Sequence, residues 1–206
     1  PWIGCGTCDV CTTGGEYYCA ARVSIGTKRA GGFADHVLVP HPRYLFDHEG
    51  VPAALAATYA CSGVTAYSAL KKVPPLKASD YLVLIGAGGV GLSALQIAAA
   101  VTPAKLIVAD ISAEKRAAAL AAGAHAAIDN STPAGVAELK QIAGGGVWCA
   151  IDFVGAPASA QFGIDVLRRG GTLLMVGLFG ENGKHARAAV GVSGLPFGVA
   201  VEVEAS

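Results

Sequence analysis

Charge is scarce in this chain and evenly split. The 206 residues carry 15 lysines and arginines against 15 aspartates and glutamates, a formal net charge of zero. Phosphate backbones are held by a basic excess, so nucleic acid is not expected as a partner, and there is little electrostatic reason for a zinc-ribbon nucleic-acid binder. Failure to shift duplex DNA at low salt would dispose of that reading. Long apolar runs are missing too. None approaches the roughly 20 residues that span a bilayer, and no charged segment with a cleavage site opens the chain. Together these absences predict a cytoplasmic protein with no membrane attachment. Methionine occurs once, as Met175, and Pro1 comes first, so the chain is expected to be a piece of a longer protein. What is plentiful is apolar and small: 53% hydrophobic residues and 28 glycines, enough for a real core.

The most organised stretch is LVLIGAGGVGLSALQIA, residues 82–98. An aliphatic run from Tyr81 to Ile85 stops at Gly86, and helical spacing follows at Val90, Leu92, Ala94, Leu95, Ile97 and Ala98. Gly86, Gly88 and Gly91 give the GxGxxG spacing. The first glycine allows a tight turn, the second removes a side chain that would block a pyrophosphate, and the third lets helix and strand pack closely. The N–H groups of Gly88, Gly89 and Val90 open the helix, where unpaired donors and the positive end of the helix dipole meet an anion. Alone the spacing is weak in a glycine-rich chain; its context decides. A second strand, Lys105 to Ala109, ends in Asp110, 24 residues after Gly86. That is near the distance at which a carboxylate accepts hydrogen bonds from the adenosine ribose. The same charge would repel a 2′-phosphate, so NAD is expected over NADP. The competing reading of Asp110 is a helix cap at a strand end.

Cys5, Cys8, Cys11 and Cys19 stand in CGTCDVCTTGGEYYC with two, two and seven residues between them. Four thiolates on one short loop form a tetrahedral cage that suits zinc, and a site with no open position is structural. Two rivals stand beside this reading. A ferredoxin-type cluster shares the first two spacings but places its fourth cysteine after three residues and before a proline, whereas Ala20 follows here. Disulfides would need an oxidising compartment, at odds with the remainder of the chain.

Several of these motifs occur together in the order of a known family. PWIGCGTCDVC with Cys19, GGFADHVLVP at 31–40, ACSGVTAYSAL at 60–70, GAGGVG at 86–91 and DFVGAP at 152–157 resemble the zinc-containing medium-chain alcohol dehydrogenases. The resemblance covers roughly residues 1–180. It implies an α/β fold: a Rossmann-type doubly wound parallel sheet plus a partial GroES-like β-barrel domain with a structural zinc lobe. It also assigns roles. Cys61, on its own residues a small core thiol, would be the third ligand of a catalytic zinc, with Thr65 one helical turn on and against the nicotinamide. Lys115, otherwise an exposed helix lysine, would bond the adenosine ribose. Val154 and Gly155 would pass under the riboses, and Val176, Gly177 and Leu178 would hold the nicotinamide carboxamide. The family's other catalytic-zinc ligands are not among these 206 residues, and a catalytic zinc needs three protein ligands. The chain alone is therefore expected not to turn over alcohol.

The expected organisation is a partial GroES-like domain at 1–49, a helical connection at 50–75, the NAD-binding domain at 76–180 and an atypical tail at 181–206. Segment 31–46 reads as a turn and then a strand. In the second half, helices are expected at 113–122, 134–142 and 158–167, and further strands at 126–129, 147–153 and 172–176. Beyond Phe179 the resemblance ends, and VAVEVEAS could add an edge strand. Cys149 reads as core, and His36, His41 and His48 as surface or turn residues. The function implied is NAD-linked hydride transfer between an alcohol and its aldehyde or ketone, in a parent homodimer or homotetramer. The alternative is a catalytically silent module that binds NAD and zinc.

Overall fold

The computed structural model describes residues 2–176, 191–192 and 200–203, and the chain divides into two compact units, Pro1–Cys61 and Ser62–Ser206. In the first, β1 (Trp2–Ile3) meets α1 (Asp9–Thr12) through the first two cysteines, and a 3-10 turn at Glu16–Tyr18 leads to β2 (Val23–Ser24). β1 and β2 pair antiparallel, Trp2 opposite Ser24. A second 3-10 turn (Pro42–Tyr44) and the short helix α2 (Ala53–Thr58) follow. Among the described residues of this unit only Cys11 and Cys19 are buried.

Polar ties do the work of a core here. Glu16 Oε2 accepts the Gly4 N–H at 3.3 Å and the Tyr44 hydroxyl at 2.7 Å, and its Oε1 lies 2.9 Å from Arg43 Nη2. The Tyr44 hydroxyl above all, with the Gly4 N–H and the Arg43 charge, holds the Glu16 carboxyl below its ordinary range. The strand expected within 31–46 is not formed. Phe33, Leu38 and Phe46 lie exposed, because β1 and β2 pair with each other and no other strand of this unit is described to supply a ladder.

A π-helical turn, Tyr59–Gly63, runs into α3 (Val64–Leu70). The second unit then alternates: β3 (Tyr81–Ile85), α4 (Gly89–Val101), β4 (Lys105–Ala109), α5 (Ala113–Ala121) and β5 (Ala126–Ile128). It continues through α6 (Pro133–Ile142), β6 (Val147–Asp152), α7 (Pro157–Val166), β7 (Leu167–Met175), β8 (Gly191–Val192) and β9 (Ala200–Val203). The sheet order is β5-β4-β3-β6-β7-β9-β8, parallel throughout except that β8 runs against β9. The chain winds outward from β3 through β4 to β5, then crosses back to β6, so the order reverses between β3 and β6. This is the doubly wound Rossmann arrangement.

The aliphatic runs form strands because both faces of a parallel sheet must be covered. Leu82, Leu84, Leu106, Val108, Cys149 and Ile151 face one side with Ala94, Leu95 and Ala98 of α4. Val83, Ile85, Ile107, Ile128 and Ala150 face the other with Leu139 of α6 and Phe162 of α7. The alternation is the period of two that strand geometry imposes. Cys149 is fully buried, and burial pushes its thiol up to about 12.

Two boundaries depart from expectation. β7 begins at Leu167 rather than 172, because Val147 pairs with Leu167 and Cys149 with Thr172, a register shift that absorbs the Arg168–Gly171 segment with Gly170 at φ +81°. The tail segment VAVEVEAS supplies a strand as expected, β9 parallel to β7 with Thr172 opposite Ala200, but β8 pairs on its other side, so β9 is not the edge. The two partners explain the difference: pairing to a distant strand is not written in a local pattern. At the N-terminal ends of β6 and β7, Arg168 stacks 4.1 Å over the ring of Trp148 beside a cavity of about 280 Å³. Among the described residues no helix is long and apolar enough to cross a membrane.

Candidate functional site

The glycine turn sits where the strand order reverses, at the C-terminal end of β3. Gly86 has φ +96°, a conformation side chains resist, and a Cβ there would come within 2.7 Å of Val154 Cγ2. A Cβ on Gly91 would run into the carbonyl oxygen of Gly86. Both positions are thus closed to larger residues by the fold itself. Gly88 differs: it caps α4, is exposed, and a Cβ there would meet nothing within 4 Å. Its lack of a side chain keeps space open in front of the helix N-terminus, where the first-turn N–H groups of Gly89, Val90 and Gly91 have no carbonyl one turn back.

Asp110 points toward that turn. Its Oδ2 accepts the Ala87 N–H at 2.8 Å and its Oδ1 the Ser112 N–H at 2.8 Å, and the residue is buried. The carboxylate therefore ties the end of β4 to the glycine turn, and its bond to Ser112 is a local turn contact, so Asp110 is not the cap of α5 that the rival reading made it. Ser112 itself caps α5 through the Lys115 N–H at 3.4 Å, leaving the Lys115 side chain exposed. Arg116 Nη1 donates to the carbonyls of Asp110 (2.8 Å) and Ile111 (3.0 Å) and lies 3.1 Å from Asp129 Oδ2.

Across the cleft, Val154 is exposed and Gly155 is buried at φ +74°. Val176 donates its N–H to the Asp152 carbonyl at 2.9 Å. Gly177 and Leu178 lie outside the described residues. The sequence reading missed Ala87, whose N–H meets Asp110, and the buried carboxylate Asp152. The signal for the latter was present: like Asp110, it ends an aliphatic strand.

The four cysteines of the first unit converge. Their sulfurs all lie within 4.8 Å of one another, with Cys5 to Cys11 and Cys8 to Cys19 each at 3.9 Å. A tetrahedron with sulfurs roughly 2.3 Å from zinc has edges of about 3.8 Å, so the donor set fits one ion. Gly4 leaves the room: a Cβ there would stand 2.5 Å from Cys11 Sγ. The Thr7 hydroxyl, with the backbone N–H groups of Thr7 and Cys8, pulls the Cys5 thiol down to about 6. The Gly6 N–H works to lower Cys11, but burial and the neighbouring thiols push it up to about 12.

Cys61 is exposed in the π turn, and Thr65 is half-buried in α3. The expected α-helical spacing between them gives way to this wider turn. Among the described residues the Cys5–Cys19 set is the one cluster of three or more ligating side chains, and Cys61 is outside it. His41 Nδ1 accepts the Arg43 N–H at 3.1 Å and His48 Nδ1 lies 3.1 Å from the Val51 carbonyl, both turn contacts.

Residues 89–195 match the family model described as zinc-binding dehydrogenase. The match reaches past Phe179, where the motifs alone placed the end of the resemblance. An NAD-dependent alcohol dehydrogenase of Sulfurisphaera tokodaii is 40% identical over 187 residues, 90% of this chain and 54% of that protein. The crystal structure of the alcohol dehydrogenase from the archaeon Aeropyrum pernix superposes with a TM-score of 0.79 at 31% identity, over 87% of this chain and 54% of that one. A structure of an E. coli alcohol dehydrogenase (rspB) complexed with NADH gives 0.74 at 25% identity, over 85% and 51%. The chain spans about half the length of the curated relatives it matches.

Proposed function

Since the chain belongs to the zinc-binding dehydrogenase family, we propose that it is the cofactor-binding part, with the zinc lobe, of an NAD-dependent alcohol dehydrogenase. The observation that carries this reading is Asp110, a carboxylate at the end of β4 bonded to the Ala87 N–H beside an open Gly88. The Gly86–Gly91 turn and the first N–H groups of α4 receive the pyrophosphate. Asp110, with Lys115, receives the adenosine ribose and disfavours a 2′-phosphate. Val154 and Gly155 form the opposite wall, and Val176, followed by Gly177 and Leu178, orients the nicotinamide ring. Cys5, Cys8, Cys11 and Cys19 hold a structural zinc that keeps the lobe folded.

NAD, when bound, would supply the hydride acceptor, and a catalytic zinc in the longer protein would supply the Lewis acidity that lowers the pKa of an alcohol oxygen. The residues of this chain serve that chemistry by binding and orientation. The substrate is a small alcohol or carbonyl compound, and the parent is a cytoplasmic homodimer or homotetramer. Cys61 and Thr65 are the contributions of this chain to the catalytic centre, and one thiolate cannot hold a catalytic zinc.

The second reading is a catalytically silent module that binds NAD and zinc, in which Cys61, outside the one cluster of ligating side chains among the described residues, holds no metal. Metal content by mass spectrometry with NADH and NADPH fluorescence titrations tests the first part. One zinc per chain and preference for NADH are expected; tight NADPH binding, or no zinc, would overturn it. Alcohol oxidation by the longer protein then separates the enzyme from the module.

A further inference from the structure

Asp152 ends β6 at the point where the strand order reverses, and it is fully buried. Its Oδ1 accepts the N–H groups of Val154 (2.8 Å) and Gly155 (3.2 Å), and its Oδ2 the Ser159 hydroxyl (2.8 Å). Ser159 Oγ in turn accepts the Ala156 N–H at 3.0 Å. One carboxylate and one hydroxyl thus gather the backbone of the whole turn between β6 and α7. Burial raises the Asp152 carboxyl, and the groups that work to lower it are the neutral donors Val154, Ser159 and Gly155. A buried charge held only by neutral donors is an expensive way to close a turn. What it holds in place is the wall of the cleft: Val154 Cγ2 stands 2.7 Å from where a Cβ on Gly86 would lie.

We propose that Asp152, supported by Ser159, is a positioning residue for dinucleotide binding, fixing the Val154–Gly155 segment against the glycine turn without itself touching the cofactor. The inference rests on the reading of this cleft as the NAD site. Asp152→Ala leaves the Val154 and Gly155 N–H groups without their acceptor. Asp152→Asn keeps an oxygen for the Val154 and Gly155 N–H groups, while the Ser159 hydroxyl, 2.9 Å from the Ala156 carbonyl, turns to that oxygen.

The test is NADH fluorescence titration of the 206-residue chain and its variants, well below each thermal midpoint. Asp152→Ala is expected to raise Kd about ten-fold or more, and Asp152→Asn to stay within about three-fold of the original. Should Asp152→Ala not fold, Ser159→Ala decides beside Asp152→Asn, with an expected rise of about three-fold or more. A folded Asp152→Ala or Ser159→Ala chain with unchanged Kd overturns the inference, as does an Asp152→Asn chain as weak as the alanine variant. If the original chain binds NADH and the variants bind equally, only the positioning role falls. If the original chain does not bind NADH, the cofactor reading falls with it.

Discussion

The two units keep their shape by different means. In Pro1–Cys61 the only buried described residues are two of the four clustered cysteines, and the loops around them are tied by Glu16 and Arg43. In the second unit, strands carry aliphatic side chains onto both faces of a sheet, each covered by helices. The first has an interior made of thiols, the second an interior made of hydrocarbon. Each buried aliphatic side chain contributes roughly 1.5–3 kcal/mol, and the first unit has almost none. Its folding should therefore follow its metal, and that of the second should not.

Chelation is the strongest way to break the contrast. Structural zinc contributes on the order of 10 kcal/mol in small lobes, so a chelator, or Cys8→Ser, is expected to unprotect the amides of residues 2–50. Those of β3, β4 and β6 should keep their protection. Hydrogen exchange reads both at once, and protection that survives in the first unit would show that it folds without its metal. In the second unit, Leu84→Ala removes a fully buried side chain and is expected to cost about 2–5 kcal/mol in urea unfolding, with zinc content unchanged.

A smaller effect divides the glycines. Gly91→Ala forces a Cβ against the Gly86 carbonyl and should cost about 1–3 kcal/mol and abolish NADH binding. Gly88→Ala meets nothing within 4 Å, so it should unfold like the original chain while binding NADH more weakly. Equal loss of stability in both would mean that the turn is shaped otherwise than described.

The smallest effect is on pH. Glu16, ordinarily at 4.5, is lowered in the folded chain chiefly by the Tyr44 hydroxyl. Its contribution is therefore present above 4.5 and lost as pH falls toward its folded value. The advantage of the original chain over Glu16→Gln, followed by thermal melts of the first unit, should shrink over that range. Asp152 has the opposite sign. Its carboxyl is raised by burial, so the folded second unit binds its proton more readily than the unfolded chain, and acid should favour that unit at this position.

Much of the second unit could be read from the chain because its signals are local. The aliphatic runs, Ser112 before α5, Gly123 at φ +99° after it, and the glycine turn each act within a few residues. The four cysteines could be read for the same reason, since one short loop brings them together. What escaped depends on partners far away in sequence. The alternating residues at 33–39 look like a strand but have no described neighbour to pair with. VAVEVEAS reads as a strand, but its place between β7 and β8 is not written in it. Asp152 was in plain view within DFVGAP, yet its role lies in the N–H groups that turn back toward it.

The Arg168 cation over Trp148 has a practical side. The chain has two tryptophans, Trp2 in β1 and Trp148 in β6, one in each unit. Trp148 lies at the end of the sheet away from the glycine turn, with a guanidinium 4.1 Å from its ring. A Trp2→Phe chain would thus emit from the sheet unit alone, and a Trp148→Phe chain from the lobe alone. The molecule carries its own pair of lamps for watching one half come apart while the other stays lit.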